Sequence, residues 1–474
     1  MNHIKHLEIP IREKILGTPI TQGIAEVIVK NVTSDNLILK ECLASVIENH
    51  NYGDDKQKLR DDFEGMQFYV EQSIKKNKIK LSLICHNVPD TALFDREHLT
   101  PAQFQQFSSI IRDLALPLYL PDNEEPRRLN ADDSPETVSK WIKDFVHRTG
   151  LLDRGKRSVV SFVWGGHSLP TDYIGEFNEY RFAEKIGYFY TLINTRHHKD
   201  KNLAQPAEDI TGSGPGIMKA PFKGSLQAFH ELQQKINRFF IGFTEQGIMS
   251  AEKSNKLVDR LVVFPDIEKR MEAFIRAAHR GRVHPGGIGT LEEIMMFLSM
   301  KLHPRNHGLI YPFDWVERPG GQYFDMIDQY LKTCFKDSFL EHYQIFNNIS
   351  PRTYALHIKE SNLKLDRRFL WNDHLYFPRE LQTPFQVTFE SVEALELYDD
   401  VGPYKLCENL RKFFSALVTL NIKRPEILES WGTDRPRLHG SSNVLKTTDH
   451  LIDKLTAAGR MKIEGEYMKP YRIH

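Results

Sequence analysis

One pattern constrains the fold of this chain more than any other. Between residues 151 and 335, short apolar runs end in glycine, and each glycine turn opens a helix-like stretch. Arg157-Ser-Val-Val-Ser-Phe-Val-Trp164 runs into Gly165-Gly166-His167-Ser168. Thr211-Gly-Ser-Gly-Pro-Gly-Ile-Met218 and Pro285-Gly-Gly-Ile-Gly-Thr290 are the other two turns. Continuous apolar runs suit strands that are buried on both faces of a parallel sheet. Arg238-Phe-Phe-Ile-Gly-Phe243, Arg260-Leu-Val-Val-Phe264 and His307-Gly-Leu-Ile-Tyr311 supply further strands. Strands alternating with helices, with glycine between them, predict an α/β fold: a central, doubly wound, Rossmann-like parallel sheet.

The flanks read differently, and divide the chain into 1–150, 151–335 and 336–474. Both outer segments are expected to be α+β extensions. In the first, Val27-Ile-Val-Lys30 is β-branched, and Ile79-Lys-Leu-Ser-Leu-Ile-Cys85 alternates as a half-buried strand does. A polar, proline-bearing stretch from Leu120 to Pro135 reads as a linker or long loop. In the last segment, Phe385-Gln-Val-Thr-Phe-Glu390 alternates like a strand. A helix around Tyr404 to Leu420 carries Leu406, Leu410, Phe413, Phe414 and Leu417 on one face. The tail from Trp431 is polar and basic and shows no motif.

Composition excludes several classes. The 63 basic side chains are balanced by 63 acidic ones, so no basic excess points to nucleic acid. No apolar run reaches the length of a membrane span. Cys42, Cys85, Cys334 and Cys407 are scattered, which predicts neither a disulfide framework nor a zinc site. Met1 to Glu8 lacks the apolar region of a secretory signal, and the expected setting is a reducing cytoplasm. His197-His198-Lys199 has no metal-ligand context, and His303 and His307 flank Pro304 rather than sharing a helix face. These histidines are expected to be solvated and no metal is expected.

The chemistry should lie in the glycine turns. In a doubly wound sheet, ligands sit beyond the carboxyl ends of the strands. Glycine there lets backbone N–H groups approach an anion, and the next helix adds a favourable dipole. The candidate binding residues are Gly165, Gly166 and Ser168; Gly212, Ser213, Gly214, Gly216 and Met218; and Gly286, Gly287, Gly289 and Thr290. The Gly212-x-Gly214-x-Gly216 pattern departs from a dinucleotide fingerprint, but three such turns favour a phosphate-bearing ligand. Thr290-Leu-Glu-Glu293 has the form of a capping box, in which Glu293 closes the helix start; alternatively, Glu293 faces the anion pocket. Asp266 is a fitting N-cap for a helix with Ile267, Met271, Phe274 and Ala278 as its apolar stripe. Arg270 sits at the edge of that stripe. It either packs its stem or forks onto a phosphate or carboxylate.

Pro285-Gly286-Gly287-Ile288-Gly289-Thr290-Leu291-Glu292-Glu293 resembles the PGGxGTxxE signature of the Lonely Guy (LOG) phosphoribohydrolase superfamily, often labelled lysine decarboxylase-like. Arg270 has the family's spacing upstream, and the Thr211 to Met218 turn is similar to the family's glycine-rich turn. The resemblance covers about 151–335. Extensions on both sides make the chain similar to the long bacterial members, which hydrolyse nucleoside monophosphates. The resemblance implies Glu293 and Arg270 as catalytic residues, the glycine turns as the phosphate and ribose site, and no cofactor. It also implies a homo-oligomer, read as a tetramer, under control of a guanosine tetra- or pentaphosphate. Arg127 and Arg128 are basic candidates for that effector, but nothing singles them out. Short members carry an apolar strand before the motif; this chain has His279-Arg-Gly-Arg-Val-His284, which puts base preference in question. Two other readings compete with hydrolysis. A nucleotide sensor would bind without turnover. A pyridoxal-phosphate decarboxylase would need a Schiff-base lysine, and none stands in a fitting context.

Overall fold

The computed structural model describes residues 5–7, 67–75, 78–86, 133–148, 159–166, 178–196, 207–233, 240–245, 255, 257–258, 260–264, 266–336, 341–362, 372–461 and 467–473. Val27 to Lys30, Arg127, Arg128, Ser168 and the His197 to Lys199 stretch lie outside these residues. Near the N-terminus, strands β1 (Lys5–Leu7), β2 (Gln67–Lys75) and β3 (Lys78–His86) form an antiparallel sheet in the order β1-β3-β2. The alternating run Ile79 to Cys85 falls within β3.

The main sheet has seven strands, all parallel: β4 (Val159–Trp164), β5 (Ala207–Thr211), β6 (Ile241–Glu245), β7 (Arg260–Phe264), β8 (Arg280–Val283), β9 (Phe313–Val316) and β10 (Gln344–Phe346). Their spatial order is β10-β9-β8-β4-β5-β6-β7. The chain therefore starts mid-sheet at β4, builds outward through β7, then returns to the other side of β4 with β8. This reversal is the switch point of a doubly wound fold, and the crevice it opens lies beyond the ends of β4 and β8. Those ends carry Gly165-Gly166 and Pro285-Gly286-Gly287.

Helices cover both faces. On one face, α1 (Pro135–Arg148), α4 (Ile267–Ala277) and α5 (Ile288–Leu302) pack against Phe162, Trp164 and Phe313. The rings of Phe297 and Phe313 stack at 3.9 Å, as do those of Phe162 and Trp164. Each fully buried ring of this kind stabilises the fold by about 1.5–3 kcal/mol. On the other face, α2 (Glu179–Arg196), α3 (Ala220–Glu231) and α7 (Pro351–Asn362) meet Val163 and Val316. Helix α6 (Tyr323–Phe335) lies between β9 and β10 in the chain.

The charged run before the third glycine turn is a strand after all. Arg280 and Arg282 are both buried, and each meets a carboxylate on another strand: Arg280 pairs with Asp314, and Arg282 lies 3.4 Å from Asp209. Tyr354 also donates to Asp314, at 2.7 Å, and Arg280 reaches Asn362 Oδ1 at 3.1 Å. Paired charges replace the apolar side chains expected of an interior strand. Two expected strands differ. His307 to Tyr311 forms the connection to β9, with Ile310 92% exposed, because Gly308 turns at φ +78° and Pro312 precedes the true strand. Phe385 to Glu390 is not a strand, because Thr388 and Ser391 form a capping box that starts the short helix α9 (Phe389–Glu393). It follows α8 (Arg379–Gln382).

The C-terminal helices share the core of the main sheet. Helix α10 (Pro403–Val418) buries Leu406, Leu410, Phe413, Phe414 and Leu417, as its spacing predicts. Arg411 on α10 pairs with Glu268 on α4 at 2.8 Å, both side chains being 1% exposed. Beyond α10 come α11 (Pro425–Ser430), a short parallel pairing of β11 (Glu396–Leu397) with β12 (His439–Gly440), and α12 (Ser442–Ala457). Among the described residues, no helix is long and apolar enough to cross a membrane.

Candidate active site

Three backbone contacts gather the glycine turns at the switch point. Gly166 N donates to Pro285 O at 3.1 Å, and Gly166 O accepts from Ile217 N at 3.0 Å. His284 N donates to Trp164 O at 2.9 Å. Gly165 sits at φ +153°, and a Cβ there would fall 2.7 Å from Ile217 Cγ2, so the close approach of the first and second turns requires glycine. Ser213 adopts φ +67°, unusual for a side chain with Cβ. Asn255 fixes it: its backbone N and its Nδ2 both donate to Ser213 O, at 2.6 and 2.8 Å, and Nδ2 also reaches Gly214 O at 3.1 Å. Sequence reading missed Asn255, because it stands in no motif.

Arg270 and Glu293 meet above these turns. Asp266 caps α4, accepting from Lys269 N at 2.9 Å, as expected. One turn on, Arg270 is only 3% exposed. Its Nε donates to Phe243 O at 3.1 Å and its Nη2 to Glu293 Oε1 at 3.2 Å. Arg270 therefore does more than pack its stem. The ring of Phe274 lies 5.5 Å below the guanidinium carbon. A Cβ on Gly212 would fall 2.7 Å from Arg270 Nη2 and 2.5 Å from Met218 Sδ, which places the second turn against the guanidinium.

The capping box at Thr290 does not form. Helix α5 starts at Ile288 with Gly287 as N-cap and no side-chain cap. Thr290 is already inside the helix, so Glu293 lies a turn beyond the N-terminus and turns to Arg270 instead. Gly286, Gly287, Gly289 and Thr290 form the start of α5, at the positive end of its dipole. Ser168 is outside the described residues.

Further side chains stand near the pair and the turns. Tyr323 is buried beside the third turn, and burial pushes its hydroxyl up to about 12. Arg460, from the C-terminal segment, stands 4.9 Å over the Tyr323 ring and donates to Gly286 O at 3.4 Å. Lys423, also C-terminal, pairs with Glu245 at the end of β6. Glu292 points away toward Ser415 and Lys423, and burial raises its pKa. His284 is fully buried; burial first and then Arg282 hold its pKa well below the usual value, so it is neutral. This departs from the solvated histidines expected elsewhere in the chain. Among the described residues, no group of three or more His, Cys, Asp or Glu is placed to hold a metal ion.

The arrangement offers a carboxylate oriented by a guanidinium, next to an uncapped helix N-terminus. It can stabilise a cationic centre while holding an anion nearby.

Comparison with known proteins bears on the family of the chain. Residues 218–350 match the family described as possible lysine decarboxylase. Residues 356–474 match the family described as pyrimidine/purine nucleotide monophosphate nucleosidase, C-terminal. The pyrimidine/purine nucleotide 5′-monophosphate nucleosidases of Escherichia coli K12 and of E. coli O157:H7 are each 29% identical to this chain over 459 residues, covering 94% of it and 95% of their own length. Among solved structures, a molybdenum cofactor binding protein from Rippkaea orientalis is 16% identical, covers 44% of this chain and 98% of its own, and has a TM-score of 0.29, too loose a likeness to bear on function. The chain is thus similar to the lysine decarboxylase-like family over residues 218–350, and to the nucleotide monophosphate nucleosidases over nearly its whole length.

Proposed function

We propose that the protein hydrolyses the N-glycosidic bond of purine and pyrimidine nucleoside 5′-monophosphates, giving free base and ribose 5-phosphate. The observation that carries this reading is the buried Arg270–Glu293 pair beside the Gly286 to Thr290 turn. The transition state of such a reaction resembles an oxocarbenium ion. Glu293 carboxylate stabilises that charge and orients or deprotonates the attacking water. The water oxygen bonds to the anomeric carbon, the glycosidic bond breaks, and the base leaves with a proton. Arg270 holds Glu293 in place. The 5′-phosphate sits at the start of α5, with Gly165, Gly166 and the Gly212 to Met218 turn lining the same pocket. Anchoring the phosphate lets remote binding energy serve the reacting centre. No metal or cofactor takes part in this scheme.

Residues 151–335 form the catalytic unit in this reading. The extensions serve assembly into a homo-oligomer, a tetramer in our reading, and control by a guanosine tetra- or pentaphosphate. The setting is cytoplasmic.

Purified protein incubated with nucleoside monophosphates and with their parent nucleosides, without added metal, tests the proposal by chromatography of the free base. Release from the monophosphates alone is expected. Equal release from both would remove the phosphate anchor, and release from neither would leave a binding protein without turnover.

A further inference from the structure

The C-terminal segment reaches the catalytic pair from behind. Helix α10 continues into a π-helical turn, Thr419–Lys423, whose last residue points into the main domain. Lys423 pairs there with Glu245, and both are largely buried, with side-chain exposures of 14% and 2%. Glu245 lies two residues along β6 from Phe243, whose carbonyl takes Arg270 Nε. Glu292 and Arg270 also act electrostatically on the Lys423 ammonium.

This cluster holds more than one way to pair its charges. Around Glu293 stand Arg270 from α4 and Tyr323 from α6, with Arg460 over the Tyr323 ring. Around Glu245 stand Lys423 and, from α5, Glu292. Glu268 on α4 is engaged by Arg411 of α10. An uncompensated buried carboxylate costs several kcal/mol. Without Lys423, Glu245 would be such a group, and Arg270 is the cation anchored to its own strand. Arg270 would then be drawn from Glu293 toward Glu245.

We propose that Lys423 is a positioning residue: by occupying Glu245, it leaves Arg270 committed to Glu293. The C-terminal segment thereby sets the geometry of the reacting pair. This inference rests on the reading of Arg270 and Glu293 as the reacting pair.

The test uses the full chain with carboxyl-labelled glutamate, its Glu293 resonance assigned with Glu293→Gln and titrated by carbon NMR. Loss of the guanidinium partner in Lys423→Met should move the Glu293 titration to higher pH by about one unit. The acid limb of kcat/KM for base release from a nucleoside monophosphate should move up with it, by about one unit, so that the loss approaches tenfold only where the pH lies below both titrations. Lys423→Met combined with Glu245→Gln should restore both, since the competing carboxylate is gone. Lys423→Arg should keep both near wild type. If the methionine variant does not fold, Lys423→Gln should give a smaller shift of the same sign. An unmoved Glu293 titration, or a double variant as perturbed as the single one, overturns the proposal. The titration needs no turnover, so a wild type that releases no base would refute the hydrolase reading and leave this test intact.

Discussion

Gly212→Ala separates the chemistry of the site from the stability of the fold. The added Cβ would fall 2.7 Å from Arg270 Nη2 and 2.5 Å from Met218 Sδ. Contact between such atoms is comfortable at about 3.5 Å, so the guanidinium end must retreat by roughly 0.8 Å. Arg270 Nη2 is the atom that donates to Glu293, at 3.2 Å, and it has little slack to give. A misplacement near 1 Å costs on the order of 100-fold in rate. That equals about 2.7 kcal/mol of lost transition-state stabilisation. The fold should barely notice. Gly212 is not among the positive-φ glycines, and both clashes fall on the far ends of flexible side chains. Alanine also removes unfolded-state freedom, so stability should stay within about 1 kcal/mol. Single-turnover base release from a nucleoside monophosphate gives the rate, and a denaturant midpoint gives the stability. Turnover within about threefold of wild type would refute the reasoning, given the 100-fold expectation. So would a loss of activity that merely follows a loss of fold.

Two further predictions follow from the same site. Gly289→Ala places its Cβ in open space inside α5, so the fold should gain about 0.5–1 kcal/mol, while ribose 5-phosphate binding by calorimetry should weaken as the backbone can no longer approach the anion. A destabilised variant, or one that binds as wild type, contradicts this. Glu179 is pushed to about 7, by burial first, against a backbone hydrogen bond from Arg318. Its folded pKa lies above its unfolded value of 4.5, so its contribution to stability is full below that pH and is lost as pH rises toward 7. Glu179→Gln should flatten the pH dependence of the unfolding free energy between these values by about 3 kcal/mol, and equal slopes in the two proteins would refute it.

Local signals marked most of the candidate site. Asp266 and its apolar stripe announced α4, and the glycine turns announced the ends of β4, β5 and β8, because each depends on neighbours in sequence. Thr290-x-x-Glu293 misled for the same reason. The spacing fits a capping box, but Gly287 lets the helix start earlier, and only the distant Arg270 decides where Glu293 turns. Arg280 and Arg282 did not read as a buried strand, because their partners Asp314 and Asp209 lie on other strands. Asn255, Lys423 and Arg460 left no signal. Each works by a contact made only after folding; Lys423 ends the turn after α10, and Arg460 comes from a tail that looks merely polar and basic. Phe385 to Glu390 alternated like a strand, but Thr388 had a cap to make.

The central claim is that Glu293 does the chemistry on a phosphate-anchored ribose. Base release from a nucleoside monophosphate by wild type and by Glu293→Gln, at equal protein and with folding checked by circular dichroism, tests it most directly. The amide keeps the size of the side chain and its contact with Arg270 while removing the charge. The account predicts that turnover falls by roughly 100-fold or more while ribose 5-phosphate still binds. Near wild-type turnover in Glu293→Gln would contradict it.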